Sequence, residues 1–109
     1  MNLTSFLQDR KLTVALKGEI DHHSAKEVMH ILGNKIDLYL PALCVLDFRE
    51  VTFMDSSGIA IVIQCVRRMR ELRGGVLLQN VGAQPMKVFA ASGIERIVKI
   101  EERSCCYEI

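Results

Sequence analysis

Apolar positions change period several times along the chain, and each change marks an element. Leu12, Val14 and Leu16 alternate with Thr13, Ala15 and Lys17, the period of a strand with one face buried. Leu3 to Leu7 is predicted to pair with it as an edge strand, across a turn at Gln8-Asp9-Arg10-Lys11. The period then becomes helical. Gly18 to Asp21 leads into a helix on which Ala25, Val28, Met29, Leu32, Ile36 and Tyr39 share one face, with Pro41 at its end. Ser24 followed by Glu27 has the spacing of a capping box at its start.

Leu43 to Leu46 is continuously apolar, as expected of a central strand covered on both faces. A second helix is predicted from about Ser56 to Arg73, closed by Gly74-Gly75. Val76 to Leu78 reads as another buried strand, and Pro85 fits the first turn of a third helix that ends near Ser92-Gly93. Ile97 to Ile100 is a final short strand. Strands separated by helices imply right-handed crossovers and a mostly parallel sheet. The expected fold is a small two-layer α/β domain. It has a mostly parallel mixed sheet of four to five strands, an N-terminal antiparallel hairpin, and helices packed mainly on one face. The chain has no internal repeat, low-complexity tract or linker, so residues 1–109 read as a single domain.

The second helix is more hydrophobic than one core-facing stripe requires. Ile59, Val62, Ile63, Val66 and Met69 supply such a stripe, yet Ala60, Ile61 and Cys65 lie off it in the same half. Either other elements cover that side or it is an exposed apolar patch of the kind that marks partner surfaces. At its start stands Phe53-Met54-Asp55-Ser56-Ser57-Gly58. Asp and Ser are preferred caps, because their oxygens accept from the free N–H groups of a first helical turn. The same place tolerates a phosphoserine, whose dianion the helix N-terminus and its free N–H groups accommodate.

Composition removes several function classes. Fourteen basic and thirteen acidic residues give a net charge of +1, which argues against bulk electrostatic binding to nucleic acid or an acidic membrane. Met1 to Arg10 lacks the basic segment and apolar run of a signal peptide. Strictly apolar runs such as Ile59 to Ile63 are far short of the ~20 residues of a membrane span. Cys44 and Cys65 lie in apolar settings, where free cysteine acts as a small hydrophobe, and Cys105-Cys106 lacks CxxC spacing. A reduced, cytoplasmic protein that binds no cofactor is expected.

Asp21, His22 and His23 precede the first helix. With Ser56 or Ser57 they raise a Ser-His-Asp hydrolase as a remote alternative, but no G-x-S-x-G elbow surrounds either serine. A metal site there lacks a fourth ligand and sets adjacent histidines in different directions. Arg67, Arg68, Arg70 and Arg73 cluster late in the second helix, as a solvated face that complements its C-terminal dipole. The glycines make neither a P-loop nor a G-x-G-x-x-G motif.

Gly18-Glu19-Ile20-Asp21-His22-His23-Ser24-Ala25, Phe53-Met54-Asp55-Ser56-Ser57-Gly58-Ile59 and Ser92-Gly93-Ile94 together resemble the bacterial anti-sigma-factor antagonists of the STAS domain family. The likeness spans nearly the whole chain and is greatest to the sporulation-type antagonists. It implies a partner-switching cycle, in which the unphosphorylated antagonist binds an anti-sigma factor that is also an ATP-dependent serine kinase. That binding releases a sigma factor; phosphorylation of the antagonist ends it, and a serine phosphatase restores it. Carried onto this chain, the resemblance makes Ser56 the phosphoacceptor. Asp21, His22, His23, Asp55, Ser57, Gly58 and Ile59 form the partner-binding switch loop, and no residue is catalytic. The alternative within the family is a scaffold or sensor subunit of a stress-signalling assembly. A monomer when free is expected, without direct nucleic-acid or membrane contacts. Family members commonly end in a further helix, for which Cys105-Cys106-Tyr107 is a poor start.

Overall fold

The computed structural model describes residues 2–103; the Cys105-Cys106 segment, where no long helix is expected, lies outside the described residues. The elements are β1 (Asn2–Gln8), β2 (Lys11–Ile20), α1 (His22–Tyr39), β3 (Leu43–Met54), α2 (Ser57–Glu71), β4 (Gly75–Val81), α3 (Ala83–Ser92), a 3-10 turn (Ile94–Arg96) and β5 (Lys99–Glu102). They form a five-stranded sheet in the order β1-β2-β3-β4-β5. The β1–β2 pair is antiparallel and the other pairs are parallel. This is the expected mixed sheet with an N-terminal hairpin. Asp9 and Arg10 both take positive φ, 52° and 64°, in a two-residue turn whose twist suits the flanking strands.

Parallel neighbours in sequential order put successive right-handed crossovers on one face, and the core confirms it. Leu12, Val14, Leu16, Cys44, Leu46 and Phe48 of the sheet pack against Val28, Leu32 and Ile36 of α1 and Ile61, Val62, Cys65, Val66 and Met69 of α2. Phe89 of α3 meets Phe48 edge to face at 5.5 Å, worth about 0.5–1.5 kcal/mol beyond the area buried. Cys44 and Cys65 are fully buried; their contact and the burial push the Cys65 thiol far up, so both act as small hydrophobes. The other face, with Thr13, Val45 and Leu77 in register, carries no helix among the described residues.

Several boundaries and faces differ from the sequence expectation. The apolar stripe of α2 is Gly58, Ile61, Val62, Cys65, Val66 and Met69, while Ile59 and Ile63 are only half-buried. Thus Ile61 and Cys65 are core, because α2 is wedged between the sheet and α1, where Gln64 donates to the Met29 carbonyl at 3.1 Å. Tyr39 is exposed, together with its neighbours Leu38 and Leu40 at the end of α1. β3 extends far beyond Leu46, to Met54, with Phe48, Val51 and Met54 buried. β5 starts two residues later than expected, because the 3-10 turn occupies Ile94–Arg96 and leaves Ile97 exposed. After α2 the left-handed residue is Arg73, φ 59°, not a glycine. Gly74 is instead required for space: a Cβ there would lie 2.7 Å from the Ala42 carbonyl oxygen.

Candidate functional site

β2 and β3 end together. Ile20 is in register with Met54, and the Asp55 N–H donates to the Ile20 carbonyl at 3.0 Å. The residues that follow, Asp21 and Asp55–Ser56, therefore open α1 and α2 side by side at the carboxyl ends of the parallel strands. Open α/β sheets gather their ligand-contacting loops at this edge.

Asp21 is the N-cap of α1. Its Oδ1 accepts from the Ser24 N–H at 2.8 Å, and the Asp21 N–H donates to Ser24 Oγ at 3.0 Å. The capping box is thus Asp21 with Ser24, not Ser24 with Glu27. The helix begins earlier than that spacing implied, so Ser24 is already its third residue. The Ser24 amide holds the Asp21 carboxyl below its ordinary value. His22 and His23 stand exposed on the first turn. Among the described residues no hydrogen bond joins either histidine to Ser56 or Ser57, so these side chains do not form a nucleophile–base pair.

At the start of α2 the cap is not a serine. Asp55 Oδ1 accepts from the Ser57 N–H at 2.8 Å, and the Asp55 carbonyl accepts from Gly58 at 3.1 Å. Ser56 occupies the N-cap position with helical backbone angles, φ −64° and ψ −13°, and its side chain caps nothing. Its hydroxyl is exposed and makes no hydrogen bond within the described residues. With Asp55 satisfying the first turn, Ser56 is spared that structural task. Gly58 crosses directly over Met54: an added Cβ would sit 2.6 Å from Met54 Cγ and nearer still to Sδ. Any side chain at this position would force the buried Met54 side chain to move aside.

One residue that the sequence reading missed secures this strand end. β4 pairs with β3 only as far as Asp47, which leaves the Met54 backbone without a strand neighbour on that side. Gln84, in the first turn of α3, replaces it. Its Oε1 accepts from the Met54 N–H and its Nε2 donates to the Met54 carbonyl, each at 2.8 Å. A polar residue beside Pro85 was the sole local signal, because the contact joins residues thirty apart.

Beside Ser56, the α2–α3 junction leaves a shallow, almost wholly apolar hollow lined by Ile59, Val88, Ala91 and Ser92, with Lys87 at its rim. A free hydroxyl therefore sits at the lip of an apolar seat. The arrangement can present a modifiable oxygen next to a surface for another protein.

Known proteins carry the same architecture. The chain is 28% identical over 83 residues to the anti-sigma F factor antagonist of Lysinibacillus sphaericus, covering 76% of this chain and 71% of that protein. The structure of the anti-sigma factor antagonist SpoIIAA in its unphosphorylated form superposes with a TM-score of 0.80 at 25% identity, over 92% of this chain and 88% of that one. The phosphorylated form of the Bacillus cell fate determinant SpoIIAA matches with a TM-score of 0.71 at 24% identity, over 92% and 91%. The STAS domain profile matches residues 6–104, nearly all of the sheet and its three crossovers. This chain belongs to the STAS domain family.

Proposed function

We propose that this protein is an anti-sigma factor antagonist whose binding is switched by phosphorylation of Ser56. Unmodified, it docks on an anti-sigma factor with serine kinase activity, and the sigma factor held there is released. The kinase brings ATP and the catalytic groups. The γ-phosphoryl bond to ADP breaks, a new bond forms to Ser56 Oγ, and the hydroxyl proton is lost. A serine phosphatase reverses the modification. The cycle resembles the control of sporulation.

The observation that carries this reading is the division of labour at the start of α2. Asp55 caps the helix, so the exposed Ser56 hydroxyl can be modified without loss of the fold. A phosphoryl group adds about −1.5 to −2 charges at neutral pH, next to the Asp55 carboxylate and the hollow of Ile59, Val88 and Ala91. A partner seated on that hollow would have to bury the dianion, which is costly without a paired cation. His22 and His23, exposed at the neighbouring helix start, belong to the same partner surface in this reading.

Incubation with the cognate anti-sigma factor and ATP, followed by peptide mapping in a mass spectrometer, tests the assignment. Phosphate on Ser56 is expected, and none on the Ser56→Ala variant. Phosphate on Ser57 alone, or no phosphate on the wild type, overturns it.

A further inference from the structure

Two large apolar side chains of β1 stand in solvent, Phe6 at 59% and Leu7 at 44% exposure. As neighbours on a strand they point to opposite faces of the sheet. Phe6 lies across from Thr13 on the helix-free face, and Leu7 across from Leu12 on the helix side. A partner laid on either face would cover one and leave the other wet. A strand added alongside β1 covers both.

Among the described residues β1 is a free edge, paired only with β2. Natural sheets protect such edges with charge, proline, bulges or short length. The opposite edge follows that practice: β5 has four residues, three of them Lys99, Glu101 and Glu102. β1 does not. Its seven residues, NLTSFLQ, contain no charge, proline or glycine, and they hold an unbroken register with β2.

The side-chain order of β1 fits a second copy of itself. Antiparallel pairing about a two-fold axis at Ser5 sets Asn2 opposite Gln8, Leu3 opposite Leu7 and Thr4 opposite Phe6, and uses every residue of the strand. Residues opposed in an antiparallel pair share a face. Leu3 and Leu7 therefore meet on the helix side, Thr4 and Phe6 on the other, and amide side chains close both ends. No like charges meet, and the two-fold axis closes the assembly. We propose that the protein forms a dimer by antiparallel β1–β1 pairing, which joins two five-stranded sheets into one. This replaces the monomer expected from the sequence. Ser56 and its hollow lie beyond β2 and β3, toward α3, so the dimer leaves them accessible, and the proposal stands apart from the proposed function.

Sedimentation of the full chain over a concentration series tests it. The wild type is expected to approach twice its 12.3 kDa. Phe6→Glu places two carboxylates at the junction and is expected to raise the dimer dissociation constant at least about tenfold, with an unchanged circular dichroism spectrum. Adding Thr4→Lys to Phe6→Glu sets opposite charges across the two-fold and is expected to restore the dimer. A wild type that stays at 12.3 kDa throughout overturns the proposal, as does a dimer indifferent to Phe6→Glu. A double variant that remains monomeric overturns the proposed register.

Discussion

Asp55, Ser56 and Ser57 divide between them tasks that a helix start often leaves to one residue. In the sequence all three are equivalent candidates for a cap, since each carries an oxygen at the right place. The structure distinguishes them by reach: Asp55 curls back to the Ser57 amide at 2.8 Å, and Ser56 is left facing solvent. That distinction depends on backbone angles at one position, which residue type does not encode. Gln84 was illegible for a different reason, because its partner is the backbone of a distant strand rather than a complementary side chain. Its role can be tested directly. Gln84→Met removes both bonds and leaves the part-buried Met54 N–H and carbonyl unpaired, at a cost of about 1–3 kcal/mol in urea unfolding. Exchange of the Met54 amide with solvent should accelerate at the same time. Unchanged exchange at Met54 would mean that the side chain does not hold the strand end.

At the scale of elements, the alternation of β2 and the helical stripe of α1 were legible because each faces a single neighbour layer. α2 was not, because it touches α1 on one flank and the sheet beneath, and that wider contact rotated its buried arc onto Ile61 and Cys65. The α1 cap was displaced by one box: the pattern Ser24–Glu27 was present, yet Asp21 offered a better-placed carboxylate to the same turn. That carboxylate makes a pH-dependent contribution. Its folded value is depressed, the Ser24 amide being the largest cause. The contribution is therefore present above the unfolded value of about 3.9, and it is lost as pH falls through the lower folded value. Wild type should exceed Asp21→Asn in urea stability at neutral pH, with the gap closing in acid. A gap that persists at pH values below the folded one would contradict the charged cap.

On the scale of the whole molecule, one face of the sheet holds the core and the carboxyl edge holds the exposed switch candidates. The edge at β1 offers a place for a second copy. This arrangement was readable in outline from the order of strands and helices, since right-handed crossovers leave little choice of topology. The edge dimer was not, because an uncharged seven-residue strand looks the same in sequence whether it is paired on one side or two. In the proposed cycle, modification of Ser56 acts on partner affinity and not on the fold, since the side chain of the exposed Ser56 makes no hydrogen bond among the described residues. The most direct measurement is calorimetric binding of the cognate anti-sigma factor to unmodified protein and to protein phosphorylated at Ser56. About 100-fold weaker binding of the phosphorylated form is expected, within the usual range of such couplings, with both forms unfolding at similar temperatures. Equal affinity of the two forms would contradict it.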